Sequence, residues 1–141
     1  SVLIIGGGPA GLEATLSLAR RGYSVAIADS EKELGGRINM ESKLPGMTSY
    51  KRVVDYRVNQ INQLNNVDVF LDNTLSPDDV LELGFDHVVT ATGSIWKPSI
   101  MDEKSAPVLV DKTNTIFTPE DVLNGCELKS PVIVFDFDYY L

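Results

Sequence analysis

Short apolar runs alternate with helical stretches along this chain, and the alternation predicts the order of its elements. Strands are predicted at residues 2–5, 25–28, 67–71 and 86–92, with a short one at 108–110 and a last one at 132–135. Helices are predicted at residues 9–21 and 47–64, from Ser76 to Gly84, and from Thr118 to about Gly125, while residues 38–46 are expected to be irregular. The order predicts an α/β fold, a Rossmann-like parallel sheet with helices on both faces.

Two of the predicted helices carry the same start signal. Ser76 precedes Pro77, and Thr118 precedes Pro119, with two acidic residues following each proline. A hydroxyl at the N-cap, proline at the first helical position and acids in the first turn suit the free N–H groups and the positive end of a helix.

The turn after the first strand has the spacing Gly6-x-Gly8-x-x-Gly11 and leads directly into a helix. Strand, glycine turn and helix in this order are typical of a dinucleotide-binding site. Gly6 permits the sharp exit from the strand, Gly8 lets a pyrophosphate approach the backbone, and Gly11 lets the helix lie close to the sheet. The helix N-terminus then faces the phosphates.

The second predicted strand ends at Asp29, which lies 18 residues after Gly11. A carboxylate at about this spacing accepts hydrogen bonds from the adenosine ribose, and its charge disfavours a 2′-phosphate. The alternative is a glycine-rich turn in an ordinary α/β domain, with Asp29 merely closing a strand.

Bulk composition restricts the function classes. The chain has 141 residues, 12 Lys and Arg against 20 Asp and Glu, a net charge of −8 and a single cysteine, Cys126. The acidic balance argues against nucleic acid as a partner, and no apolar run reaches the roughly 20 residues that span a membrane. One cysteine excludes an internal disulfide, favours a reducing compartment such as the cytoplasm, and leaves no cysteine-rich metal site.

The chain starts inside a strand and ends just after a strand-like run, so we expect an incomplete fragment of a larger polypeptide. Residues 1–130 are expected to form the N-terminal part of a dinucleotide-binding domain. Residues 131–141 are expected to supply the first strand of a following NAD(P)-like domain.

Several stretches resemble the FAD-binding segment of flavoproteins with two dinucleotide domains, namely VLIIGGGPAGLEA, Asp29, LGGR and VVTATG. The finer resemblance is to the trimethylamine dehydrogenase and dienoyl-CoA reductase group, which joins an FMN barrel to such a module. It rests on GGRINMESKLPGMTSYKRVVDYRVNQI, VTATGSIWKP, FTPEDVLNG and PVIVFDFDYYL.

The resemblance implies a fold of the FAD/NAD(P)-binding type and a set of cofactor-binding residues. These are Gly6, Gly8, Pro9, Ala10, Gly11, Asp29, Ser30, Gly36, Arg37, Thr74, Leu75, Thr92 and Gly93. Arg37 would clamp the phosphates, unless it is a solvated surface charge. Thr74 and Leu75 would meet the adenine edge, unless they form a plain turn, and Thr92 and Gly93 would close over the nucleotide.

The sequence also departs from the flavoprotein pattern. Thr15 occupies a helix position where alanine or glycine is usual, and this difference is expected to loosen the helix–sheet packing slightly. No cysteine pair follows Gly36, which excludes the disulfide reductase branch. The last strand lacks a second glycine motif, which weakens any NAD assignment. No nucleophile–base pair is present, and His87 is expected to be structural, so the fragment has no catalytic residue of its own.

Three functions follow from this pattern. The first is an FAD- or ADP-binding module of a multidomain NADH:flavin oxidoreductase or amine dehydrogenase, with FMN, an iron–sulfur cluster and NAD(P)H implied for the parent protein by resemblance alone. Its partners would be the remaining domains and a small-molecule substrate. The second is a structural ADP-binding module without redox chemistry, and the third is the NAD domain of an ordinary dehydrogenase.

Overall fold

A computed structural model of the chain describes residues 1–96 and 116–134. The chain divides into two compact units, Ser1–Ser94 and Ile95–Leu141. The strands of the first unit are β1 (Val2–Ile5), β2 (Val25–Ala28), β3 (Val67–Phe70) and β4 (His87–Thr90). Its helices are α1 (Pro9–Arg20), α2 (Ile38–Glu41), α3 (Lys51–Ile61) and α4 (Pro77–Glu82), with a 3-10 turn at Thr48–Tyr50.

The four strands form one parallel sheet in the order β3-β2-β1-β4. β1 lies between β2 and β4, and its Ile5 pairs in register with Ala28 of β2 and Thr90 of β4. The carboxyl ends of these three strands therefore meet at one edge of the sheet. This arrangement confirms the predicted Rossmann-like fold class.

Both faces of the central strands are buried. Val2, Ile4, Val25 and Ile27 form one core with Leu12 and Leu16 of α1 and with Val54 and Ile61 of α3. Side chains alternate between the faces of a strand, so Leu3, Ala26 and Ala28 point the other way, and they too are buried. Burial on both faces is the pattern of a parallel sheet and explains the unbroken apolar runs in the sequence.

Helices α1 and α3 are joined by polar contacts at the edge of their apolar interface. The Arg57 guanidinium donates to the Glu13 carboxylate at 2.7 Å, and Arg20 donates to the side-chain oxygen of Gln60 at 2.6 Å. The hydrogen bond from Arg57, followed by one from Ser17, lowers the pKa of Glu13 below its ordinary value of 4.5. Because Glu13 is exposed, solvent screens this pair and it adds little to stability.

Two sequence predictions about the helices were wrong in detail. Residues 38–46 were expected to be irregular but contain the short helix α2. Four residues make little more than one helical turn, which is too short to show a helical period in the sequence. The helix predicted over residues 47–64 is a 3-10 turn followed by α3, which ends at Ile61, because Leu64 bonds back to Ile61 in a tighter turn. The predicted cap of α4 is confirmed, since Ser76 is its N-cap and forms a capping box with Asp79.

The second unit contains the helix α5 (Pro119–Leu123), whose capping box joins Thr118 and Asp121 as the sequence predicts. Residues 132–134 carry no strand, and residue 135 lies outside the described residues, as does the strand expected at 108–110. The following domain expected from residue 131 stays a prediction. Within the described ranges, no helix is long and apolar enough to cross a membrane.

Candidate functional site

The turn between β1 and α1 requires glycine at two positions because of the protein's own packing. Gly6 has a φ of +108°, and a Cβ on it would lie 2.6 Å from the carbonyl carbon of Ala91. A Cβ on Gly11 would lie 3.0 Å from the carbonyl carbon of Gly6. These two glycines let the segment after β4 and the first turn of α1 close tightly around the end of β1.

Gly8 differs from its neighbours, since nothing in its own surroundings requires glycine. Its backbone is extended, with φ −71° and ψ −177°, and a Cβ there would meet no atom within 4 Å. The open space at Gly8 lies directly before α1, where an anion can approach the backbone. The site therefore fits the pyrophosphate that the glycine spacing predicts.

The N-terminus of α1 is uncapped, unlike those of α4 and α5. Gly8 offers no side chain to cap it, and no acidic residue lies in its first turn. In contrast, Asp79 and Asp121 each complete a capping box. Within residues 1–96 and 116–134, no hydrogen bond engages the N–H of Ala10 or of Gly11. These donors and the helix dipole suit a bound phosphate.

Asp29 lies at the same turn and makes two local hydrogen bonds. Its Oδ2 accepts from the N–H of Gly7, and its Oδ1 accepts from the N–H of Glu31 at 2.7 Å. The carboxylate thus holds the Gly6–Gly11 turn from the end of β2, and Ser30 next to it is exposed. Each carboxylate oxygen keeps a further acceptor site, so a ribose role for Asp29 remains a prediction.

A second glycine turn packs against the first. The N–H of Gly35 donates to the carbonyl oxygen of Gly7 at 2.8 Å. Gly36 has a φ of +53°, and a Cβ on it would lie 3.1 Å from the Cα of Gly8. The structure therefore brings the backbone of Gly36 close to that of Gly8. The approach of Gly36 to a phosphate stays a prediction.

Arg37 follows this second turn and holds a neighbouring loop. Its Nη2 donates to the carbonyl oxygen of Ser94 at 2.5 Å, and its Nε lies 3.9 Å from a carboxylate oxygen of Glu41. The side chain is half-buried, so it is not the freely solvated charge that the sequence left open. Its contact with phosphate stays a prediction.

The ends of β3 and β4 supply the remaining predicted residues. Ala91 donates to the carbonyl oxygen of Ile5 at 2.7 Å, which brings exposed Thr92 and Gly93 alongside the Gly6 turn. Thr74 and Leu75 line an open groove with Asn73, Asp79, Glu82 and Leu83, and neither Gly8 nor Arg37 belongs to that lining. The N–H of Asn73 donates to the carbonyl oxygen of Asp29 at 3.0 Å, which connects the groove to the turn.

Sequence reasoning missed two side chains behind the second turn, Asn39 and Lys51. Asn39 donates to the carbonyl oxygen of Leu34 at 3.0 Å and accepts from the Lys51 ammonium at 2.6 Å. An asparagine three residues after a double glycine was the only signal in the sequence.

His87 lies exposed at the start of β4. The described residues contain no group of acids, histidines or cysteines suited to a metal.

Comparisons with known proteins agree with this geometry. Histamine dehydrogenase from Rhizobium sp. 4-9 is 45% identical with a TM-score of 0.81, over 87% of this chain and 18% of that one. The 6-hydroxypseudooxynicotine amine oxidase of Pseudomonas geniculata N1 is 46% identical with a TM-score of 0.81, over 88% of this chain and 19% of that one. Dimethylamine dehydrogenase of Hyphomicrobium sp. (strain x) is 30% identical over 99% of this chain and 20% of its own length.

The chain thus spans about a fifth of the length of these relatives, which are trimethylamine dehydrogenase-like flavoenzymes, and the predicted resemblance to that group is confirmed. The family model described as pyridine nucleotide-disulphide oxidoreductase matches residues 1–120. With a single cysteine, the chain carries no redox cysteine pair of its own. Its glycine turns, parallel sheet and matching family model together show that the chain belongs to the pyridine nucleotide-disulphide oxidoreductase family and carries its FAD/NAD-binding domain.

Proposed function

We propose that this chain binds the ADP moiety of FAD, or ADP itself, as a module of a multidomain flavin-dependent oxidoreductase. The observation that supports this most is the contrast between Gly8 and the other glycines of the turn. Gly6 and Gly11 are required by contacts within the protein, whereas a Cβ at Gly8 would meet nothing within 4 Å. A glycine that the fold does not need is explained by a ligand that approaches its backbone.

The residues around that opening fit a pyrophosphate. The N–H groups of Ala10 and Gly11 and the positive end of α1 would hold one phosphate. Gly36, which lies close to Gly8, and the guanidinium of Arg37 would complete this pyrophosphate cradle. A guanidinium pairs well with phosphate oxygens. When bound, FAD would supply two-electron transfer, and this chain would supply the binding of its nucleotide half.

Other predicted residues would hold the adenosine. The Asp29 carboxylate would accept hydrogen bonds from the ribose hydroxyls, and the Ser30 hydroxyl would exchange hydrogen bonds with them. Thr74 and Leu75 would border the adenine in the groove they line. Thr92 and Gly93 would close over the nucleotide from the end of β4.

For the parent protein, oxidation of an amine is the activity we favour over NADH:flavin oxidoreduction. The two solved structures that are 45% and 46% identical carry the names histamine dehydrogenase and 6-hydroxypseudooxynicotine amine oxidase. The other domains of the parent protein and a small amine would then be its partners. We also place the protein in the cytoplasm, because its single cysteine suits a reducing compartment.

The nucleotide carried by the intact protein tests the proposal. The protein is purified, denatured, and its released nucleotides are separated by chromatography and quantified by absorption. We expect FAD or ADP in a ratio of about one per polypeptide. ADP alone supports the structural module, and NAD(H) alone supports the dehydrogenase alternative. A protein that carries no adenine nucleotide and binds none when ADP is titrated into it would overturn the proposal.

A further inference from the structure

Behind the two glycine turns lies one half-buried residue, Asn39, which makes three contacts with the second turn. Its backbone N–H donates to the carbonyl oxygen of Gly36 at 3.1 Å. Its side-chain Nδ2 donates to the carbonyl oxygen of Leu34 at 3.0 Å. Its carboxamide also fills the space beside Gly35, where a Cβ would lie 2.8 Å from the Asn39 Cγ.

Lys51 fixes the orientation of this carboxamide. The Lys51 ammonium donates to Oδ1 of Asn39 at 2.6 Å, while Nδ2 faces the carbonyl oxygen of Leu34. Turning the amide over would place an NH₂ group against an ammonium and an oxygen against a carbonyl, so only one orientation satisfies both partners. Lys51 begins α3, and this hydrogen bond therefore ties the turn to a helix of the core.

We propose that Asn39, oriented by Lys51, is a positioning residue that holds the Gly35–Gly36 turn against the Gly7–Gly8 backbone and so completes the pyrophosphate cradle. The proposal rests on the proposed function. Asn39 holds the segment that contacts the first turn. In this segment the Gly35 N–H donates to the Gly7 carbonyl oxygen, and the Gly36 backbone lies close to Gly8. Preorganised donors bind an anion more tightly than donors that must first be ordered.

Binding of ADP and of adenosine to the intact protein, freed of nucleotide, separates positioning from general damage. Asn39→Ala is expected to weaken ADP binding about tenfold, the effect of losing one half-buried side chain that hydrogen-bonds on both sides. Adenosine has no phosphate, so its binding, followed by ligand-observed NMR, should stay within about twofold. Exposed Asn59 on α3 provides the matched control, and Asn59→Ala should change neither affinity.

A second variant keeps the test valid if Asn39→Ala folds poorly. Lys51→Met leaves Asn39 in place but removes the group that orients it, and it should also weaken ADP binding selectively. The double variant should be no weaker than Asn39→Ala alone, because both residues act through one contact. Hydrogen exchange of the Gly35 N–H should accelerate in both variants.

The outcomes separate this proposal from the proposed function. If the wild-type protein binds no ADP, the proposed function is wrong, and the positioning role of Asn39 is wrong with it. If the wild type binds ADP but both variants bind it equally well, or lose ADP and adenosine in parallel, only the positioning role is overturned. Additive effects of the two substitutions would also contradict it.

Discussion

The backbone N–H of Gly35 donates a 2.8 Å hydrogen bond to the carbonyl oxygen of Gly7. This contact joins two glycine turns that are separated in the chain, so the Gly35–Gly36 turn packs against the Gly6–Gly11 turn. Because Gly36 then packs against Gly8, a nucleotide at Gly8 would meet backbone from both turns. The site is therefore built largely from main chain, and glycine substitutions are the most direct way to test it.

Gly8→Val should abolish ADP binding while the protein stays folded. The extended backbone of Gly8 accepts a valine, and the open space receives its side chain, so we expect a loss of about 1 kcal/mol or less in the free energy of unfolding. Gly11→Val is the contrasting variant, since its side chain would collide with the backbone of Gly6 and unfold the domain. Calorimetric titration and thermal unfolding measure the two effects. Normal ADP binding by Gly8→Val would show that the nucleotide lies elsewhere.

Thr15→Val should stabilise the domain. Thr15 is fully buried between α1 and the sheet, and its hydroxyl has no hydrogen-bond partner among the described residues. A buried hydroxyl without a partner costs about 1–3 kcal/mol, and valine keeps the shape, so a gain of about 1 kcal/mol is expected in urea unfolding. Thr48→Val, at an exposed threonine, is the control and should change stability little. A destabilised Thr15→Val variant would mean that the hydroxyl has a partner in solution.

Arg37→Lys should weaken ADP binding although it keeps the charge. The planar guanidinium can serve the Ser94 carbonyl and a phosphate together, and an ammonium cannot reproduce that fork. We expect a several-fold loss for Arg37→Lys and about tenfold or more for Arg37→Ala. Arg52 is exposed on α3, and Arg52→Ala controls for the loss of one positive charge. If Arg37→Ala and Arg52→Ala lost ADP affinity equally, Arg37 would act only through its long-range positive charge and not through contact with a phosphate.

Ser76→Ala should change the titration of Asp79. The hydroxyl of Ser76, followed by its backbone N–H, lowers the pKa of Asp79 below the ordinary value of 3.8. A carboxyl whose pKa is lowered by folding stabilises the folded state above its unfolded pKa, and this contribution disappears as the pH falls through the folded pKa. The helix cap of α4 should therefore weaken only below about pH 4.

Carboxyl carbon shifts in an NMR titration measure this effect directly. Ser76→Ala should move the pKa of Asp79 up toward 3.8. Asp121 has its own lowered pKa, owing first to the backbone N–H and then to the hydroxyl of Thr118, and serves as the control within the same molecule. An unchanged Asp79 titration in Ser76→Ala would contradict the capping box.

The comparisons with relatives identify the protein family. The contacts of the second glycine turn are visible only in the structure. The stretch around Asn39 has four helical residues and no periodicity, so the sequence left it irregular. Asn39 of this helix accepts a hydrogen bond from Lys51, which lies 12 residues further along the chain. A helix of four residues is too short for local propensity to predict it, because most helical stability in proteins comes from tertiary packing.

The sequence by itself determined the local features of this protein. Apolar runs predicted the four strands of the first unit, hydroxyl–proline pairs predicted the starts of α4 and α5, and the glycine spacing predicted the first turn, because each signal depends on neighbouring residues alone. Only the tertiary structure showed that Asp29 holds the Gly7 amide, that Gly35 bonds to Gly7, and that Arg37 reaches Ser94. These contacts depend on how the parallel strands bring separate loops to one edge of the sheet, which spacing along the chain does not specify.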